Sequence, residues 1–201
     1  NTNCCEELFY NTGLTAIPTL SSTTLSSSCY KNMFSHCRQL SSVSSIGENL
    51  VMGANCCEGM FSYTGLTSPI NLPYETLNTS CYAYMFEGCE NLDITSYTLP
   101  STILKEGCYL GMFKGCTNLN KSPKFTAETL SRQCYEEMFS DCRSLVYIDA
   151  SFTTETSGDY MLNWVNGVAS GGTFKKGDNA SWVNTFGPSA IPVSNSDRWS
   201  V

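Results

Sequence analysis

Cys81-Tyr82-Ala83-Tyr84-Met85-Phe86-Glu87-Gly88-Cys89-Glu90-Asn91-Leu92 is one of six versions of a single phrase; the others open at Cys4, Cys29, Cys56, Cys108 and Cys134. Successive openings lie 25, 27, 25, 27 and 26 residues apart. Each interval therefore reads as one supersecondary unit, too small to bury its apolar side without its neighbours.

Placed on a helix at about 100° per residue, the apolar positions one, two, five, six and nine fall within an arc of roughly 140°. The phrase thus predicts a two-turn amphipathic helix. In the sixth copy Cys134, Tyr135, Met138, Phe139 and Cys142 face inward, and Glu136, Glu137, Ser140 and Asp141 face outward. Ser28, Asn55 and Ser80 stand where N-caps belong, and Gly88 and Gly115 read as helix stops. The second half of each repeat alternates apolar and small polar residues, as in Leu92, Ile94 and Leu99, and reads as a short strand. A second anchor, Leu25, Met52, Leu77, Leu104 or Leu130, lies four residues before the next cysteine. Parallel pairing of six such strands predicts one sheet about 25–30 Å wide. Pro18, Pro69, Pro73, Pro100 and Pro123 all fall in these connecting halves, outside the phrase.

The expected architecture is therefore an α/β solenoid with one strand and one helix per 25–27-residue coil. Residues 1–152 hold six repeats, and 153–201 form a capping segment of the same domain. The tail contains Trp164, Trp182 and Trp199, which read as core of the cap; Tyr160–Val165 reads as one more short helix, and Thr173–Lys175 and Ile191–Val193 as small strands.

A net charge of −7 and a lone histidine, His36, argue against nucleic-acid or anionic-membrane partners, since no basic stripe exists to displace counterions. No apolar run reaches the roughly 18 residues that span a bilayer. The phrase begins at residue 4 with no leader before it, so further repeats or a targeting segment are expected upstream.

Twelve cysteines in 201 residues suggest a disulfide framework at first sight. Positions one and nine of a helical phrase are too far apart to bond, and the ninth position reads Thr12, Cys37, Thr64, Cys89, Cys116, Cys142, which leaves partners unmatched between coils. Buried thiols acting as small apolar fillers are the favoured reading, with disulfides between coils the alternative.

Copies such as Cys108-Tyr109-Leu110-Gly111-Met112-Phe113-Lys114-Gly115-Cys116-Thr117-Asn118-Leu119 resemble the BspA-like leucine-rich repeats of bacterial surface proteins. Asn163-Trp164-Val165-Asn166-Gly167-Val168 and Ile191-Pro192…Trp199-Ser200-Val201 are similar to the segment that closes such arrays. The resemblance implies a leucine-rich-repeat fold on an exported, cell-surface or secreted protein, with adhesion or partner binding as its role. It supplies no catalytic or ligand residues.

Chemistry-bearing patterns are few. His36 and Cys37 are adjacent and point about 100° apart on a helix, which disfavours a nucleophilic dyad. The cysteines are adjacent or eight apart, not two to four, so no metal is expected. No phosphate loop or calcium loop is present. No enzyme and no cofactor are expected. Interest falls on the outward strand positions Thr15, Ser41, Ser44, Thr67 and Asn71, and above all on Asp93, Thr95, Asn120, Lys121, Lys124, Tyr147 and Asp149. These make a candidate face for a protein or glycan. The rival reading is a structural spacer without a ligand.

Overall fold

In the fourth copy the backbone N–H groups of Ser80, Tyr82, Tyr84, Phe86 and Gly88 donate to the carbonyls of Glu106, Cys108, Leu110, Met112 and Lys114 on the next copy, at 2.7–3.1 Å. The intervening Cys81, Ala83, Met85, Glu87 and Cys89 donate three residues back along their own chain, at 3.1–3.3 Å. The computed structural model describes residues 2–47, 50–72, 77–150, 159–177 and 199–200, and the alternation runs through each phrase in them. A helix would send each N–H four residues back. Here half the donors close β-turns and half tie one copy to the next.

The expected α/β solenoid of the leucine-rich-repeat type, with a helix in each coil, is therefore overturned. Among the described residues the only helical element is the single 3-10 turn Asp159–Met161, and the phrases are runs of overlapping turns. The cause is a left-handed backbone residue at every fourth position. Ser80, Tyr84 and Gly88 have φ of 48°, 54° and 66°, and Gly107, Gly111 and Gly115 repeat the pattern at 60°, 57° and 70°. Ser28 and Asn55 also have positive φ, so they begin turn runs and do not cap helices. Glycine and asparagine, which tolerate this conformation best, hold many of these positions.

Gly111→Ala separates the two architectures by sign. In a helix interior it would stabilise by about 1 kcal/mol. In the observed turn it places a side chain at φ 57°, with its Cβ 2.3 Å from the Tyr84 ring, and urea denaturation should show a loss of about 1–2 kcal/mol.

The connecting halves form strands that are parallel, as expected, but short and divided. β1 (Thr24–Leu25) pairs with β2 (Val51–Met52), and β3 (Thr98–Leu99) with β4 (Lys124–Phe125). β5 (Tyr147–Ala150), β6 (Gly172–Lys176) and β7 (Trp199–Ser200) make a third sheet in that order. Among the described residues the strands do not join into a single six-stranded sheet. Two isolated bridges, Lys121↔Tyr147 and Ile103↔Thr129, add pairing between copies.

The core runs across all copies. Phe9, Phe34, Phe61, Phe86, Phe113 and Phe139 stack in sequence with centroids 5.5–6.3 Å apart and planes within 13°. Tyr82, Tyr109 and Tyr135 form a second stack at 6.2 Å, and the Tyr109 hydroxyl donates to Ser101 Oγ.

In the tail, the phrase disappears from the sequence while its backbone continues. Tyr135, Glu137, Phe139 and Asp141 donate to the carbonyls of Tyr160, Leu162, Trp164 and Asn166, and Asn163 and Gly167 have positive φ. Apart from the 3-10 turn at its start, this is one more run of turns in place of the expected helix. Trp164 is fully buried between Phe139 and Phe174, and Trp199 is buried too. Pro73, Trp182 and Ile191–Val193 lie outside the described residues.

Ten of the cysteines are buried, and all twelve are free thiols. Those at the ninth position act as donors. Cys37, Cys89, Cys116 and Cys142 aim Sγ at the carbonyls of Phe9, Phe61, Phe86 and Phe113 on the preceding copy, at 3.0–3.1 Å. Thr12 and Thr64, the two exceptions, donate to Phe9 O and Phe61 O, so the same carbonyl column is served by O–H. Burial pushes the thiols of Cys81 and Cys134 up to about 12 and that of Cys89 to about 11, which holds them protonated and unreactive.

Candidate binding face

The strand half of the repeat places every second side chain outward, and the 25–27-residue offset lines up equivalents from neighbouring copies. Asp93 N–H donates to Thr67 O at 3.0 Å, and Thr67 N–H to Ser41 O at 3.1 Å, so backbone bonds continue this register toward the first copies. Asp93, Thr95, Asn120 and Lys121 surround a hollow of about 200 Å³. Thr95, Lys121, Lys124 and Asp149 line an adjoining hollow of about 280 Å³, with Tyr97 and Pro123 beneath. A third hollow, also about 280 Å³, lies between Pro69, Asp93, Thr95 and Tyr97. Thr95 belongs to all three.

Local chemistry holds these groups in place. The Thr95 N–H donates to Asp93 Oδ1 at 2.8 Å, and hydrogen bonding from the Thr95 side chain and backbone keeps the Asp93 carboxyl below its usual range. Lys121 Nζ stands 4.9 Å above the Tyr147 ring, a cation–π contact that sets the side chain over the sheet. Asp149 N–H bonds to Ser122 Oγ at 3.1 Å, and its Oδ2 pairs with Lys175 Nζ at 3.2 Å.

The seven singled-out residues are thus brought together: six line the hollows and Tyr147 supports Lys121. Thr15, Ser41, Ser44, Thr67 and Asn71 are exposed along the earlier copies and do not line them. Tyr97, Pro123 and Lys175 were not singled out. Lys175 lies 26 residues after Asp149, one repeat length, and that spacing is the signal that would have found it. Tyr97 is half-buried and gives its hydroxyl to Ile70 O, which makes it a fixed floor.

His36 packs between Tyr10 and Tyr63, with centroids 5.2 and 4.7 Å away, while buried Cys37 directs its thiol to Phe9 O. No helix among the described residues is long and apolar enough to cross a membrane. Comparison with protein-family models, with curated proteins and with solved structures yields no match.

Proposed function

We propose that this chain is a non-enzymatic, adhesion-type interaction module of the cell surface or the secreted space, holding a protein or glycan across the Asp93–Asp149 face. The convergence of Asp93, Thr95, Asn120, Lys121, Lys124 and Asp149 on adjoining hollows carries this reading. They combine two ammonium groups, two carboxylates, an amide and a hydroxyl. Such a set hydrogen-bonds the hydroxyl and amide groups of glycans and polar peptides, and a supported aromatic edge adds apolar contact. The shallow shape suits an extended ligand. The placement outside the cell rests on the resemblance of the phrase to BspA-like surface proteins.

The test is an array of glycans and extracellular-matrix proteins probed with the 201-residue chain. Bound ligands should lose at least about tenfold in affinity on Lys121→Glu, Lys124→Glu or Asp149→Lys, and thermal unfolding should move little on Lys124→Glu, whose side chain is exposed. A ligand whose binding ignores all three substitutions would overturn the face. No ligand on a broad array would favour the spacer reading.

A further inference from the structure

Three thiols that the sequence separates meet in the first two copies. Cys4 Sγ and Cys29 Sγ are 2.8 Å apart, and together with Cys5 Sγ all three lie within 4.8 Å of one another, the one such cluster of potential metal ligands among the described residues. The ladder sets this register: Asn3 N–H donates to Ser27 O at 3.1 Å and Cys5 N–H to Cys29 O at 3.0 Å. Cys4 is exposed, Cys5 half-buried and Cys29 buried, so the cluster has a solvent-facing side and an enclosed side. The next copy adds further sulfur, with Cys56 Sγ 3.8 Å from Met52 Sδ and 3.9 Å from Cys57 Sγ.

We propose that Cys4, Cys5 and Cys29 form a binding site for one thiophilic divalent cation of the zinc class. Tetrahedral zinc holds thiolates at about 2.3 Å, which sets the sulfurs roughly 3.8 Å from each other, within the 4.8 Å span of the cluster but wider than the 2.8 Å between Cys4 and Cys29. Cys4, being exposed, swings about 1 Å away from Cys29 to open the site. Binding exchanges three S–H bonds for three metal–sulfur bonds and releases three protons to solvent, leaving the fourth position for water. Adjacent cysteines alone hold such an ion poorly. The third ligand comes from the neighbouring copy, so the ion would tie the first copy to the second.

The test uses the reduced, desalted 201-residue chain titrated with Zn(II) against a chromophoric chelator, and with Co(II) as a spectroscopic reporter. One equivalent should bind per chain, with sulfur-to-cobalt charge-transfer absorption in the near ultraviolet. Cys4→Ser and Cys5→Ser should each weaken binding by about 100-fold or more and reduce that absorption. Cys4 is exposed, so its variant keeps the fold, and circular dichroism checks this. Absence of stoichiometric binding, or binding that Cys4→Ser leaves unchanged, overturns the site. So does a chain isolated without reductant that carries a Cys4–Cys29 disulfide and no metal.

Discussion

Phe113→Ala lowers the free energy of unfolding by about 3–5 kcal/mol in urea denaturation, the range for an aromatic side chain deleted from a close-packed interior. Phe113 is fully buried, with Phe86 stacked at 5.9 Å on one side and Phe139 at 6.1 Å on the other. Its neighbours cannot close the gap. Phe86 N–H is bonded to Met112 O at 3.0 Å and Phe113 N–H to Met138 O at 3.1 Å, and these bonds set the spacing of the copies. The cavity therefore persists and its full cost is felt. Phe9→Ala provides the contrast: Phe9 is half-buried and stacks only on Phe34 among the described phenylalanines, so about 1–2 kcal/mol is expected. Equal losses at the two positions would mean that the stack does not act as a rigid column.

The repeat period, the buried apolar side of the phrase and the outward polar positions of the strand half were legible in the sequence; the conformation of the phrase was not, nor was the burial of its seventh position, where Ser35, Ser62 and Ser140 are enclosed instead of facing outward. Burial at positions one, two, five, six and nine is a period of four. Over nine residues that is barely distinguishable from 3.6, so the apolar pattern alone fits a helix and a run of four-residue turns equally. The discriminating signal lay in the outward positions. Gly59 and Gly111 sit in the middle of their phrases, where each would cost a helix about 1 kcal/mol, and both have positive φ. Read together with Asn3, Asn11, Asn32, Asn55, Gly88, Gly107 and Gly115, they mark left-handed residues at a spacing of four. The outward strand positions needed only the period-two alternation and the repeat offset, both of which survive the change from helix to turns. The thiol cluster has no signature within a single copy, because Cys4 and Cys5 are adjacent and Cys29 arrives from the next copy.

Gly65→Ala and Gly13→Ala compare the same repeat position with and without a preceding copy in the structure. Gly65 follows Thr64 as Gly13 follows Thr12, nine residues after the opening cysteine in each case. A Cβ on Gly65 would stand 2.4 Å from the Arg38 carbonyl oxygen, a backbone atom of the copy before it, whereas one on Gly13 meets nothing within 4 Å. Arg38 cannot step aside, because its N–H is bonded to His36 O at 2.9 Å and the adjoining His36 N–H to Ser62 O at 2.8 Å. The added methyl therefore acts as a wedge between copies. Gly65→Ala should cost about 2–3 kcal/mol, while Gly13→Ala should be neutral or gain up to about 1 kcal/mol by restricting the unfolded chain. Because the clash is with backbone, replacing the Arg38 side chain should not rescue Gly65→Ala. Rescue by Arg38→Ala, or similar costs at the two glycines, would show that the spacing between copies yields to a single methyl group and that the ladder does not fix it.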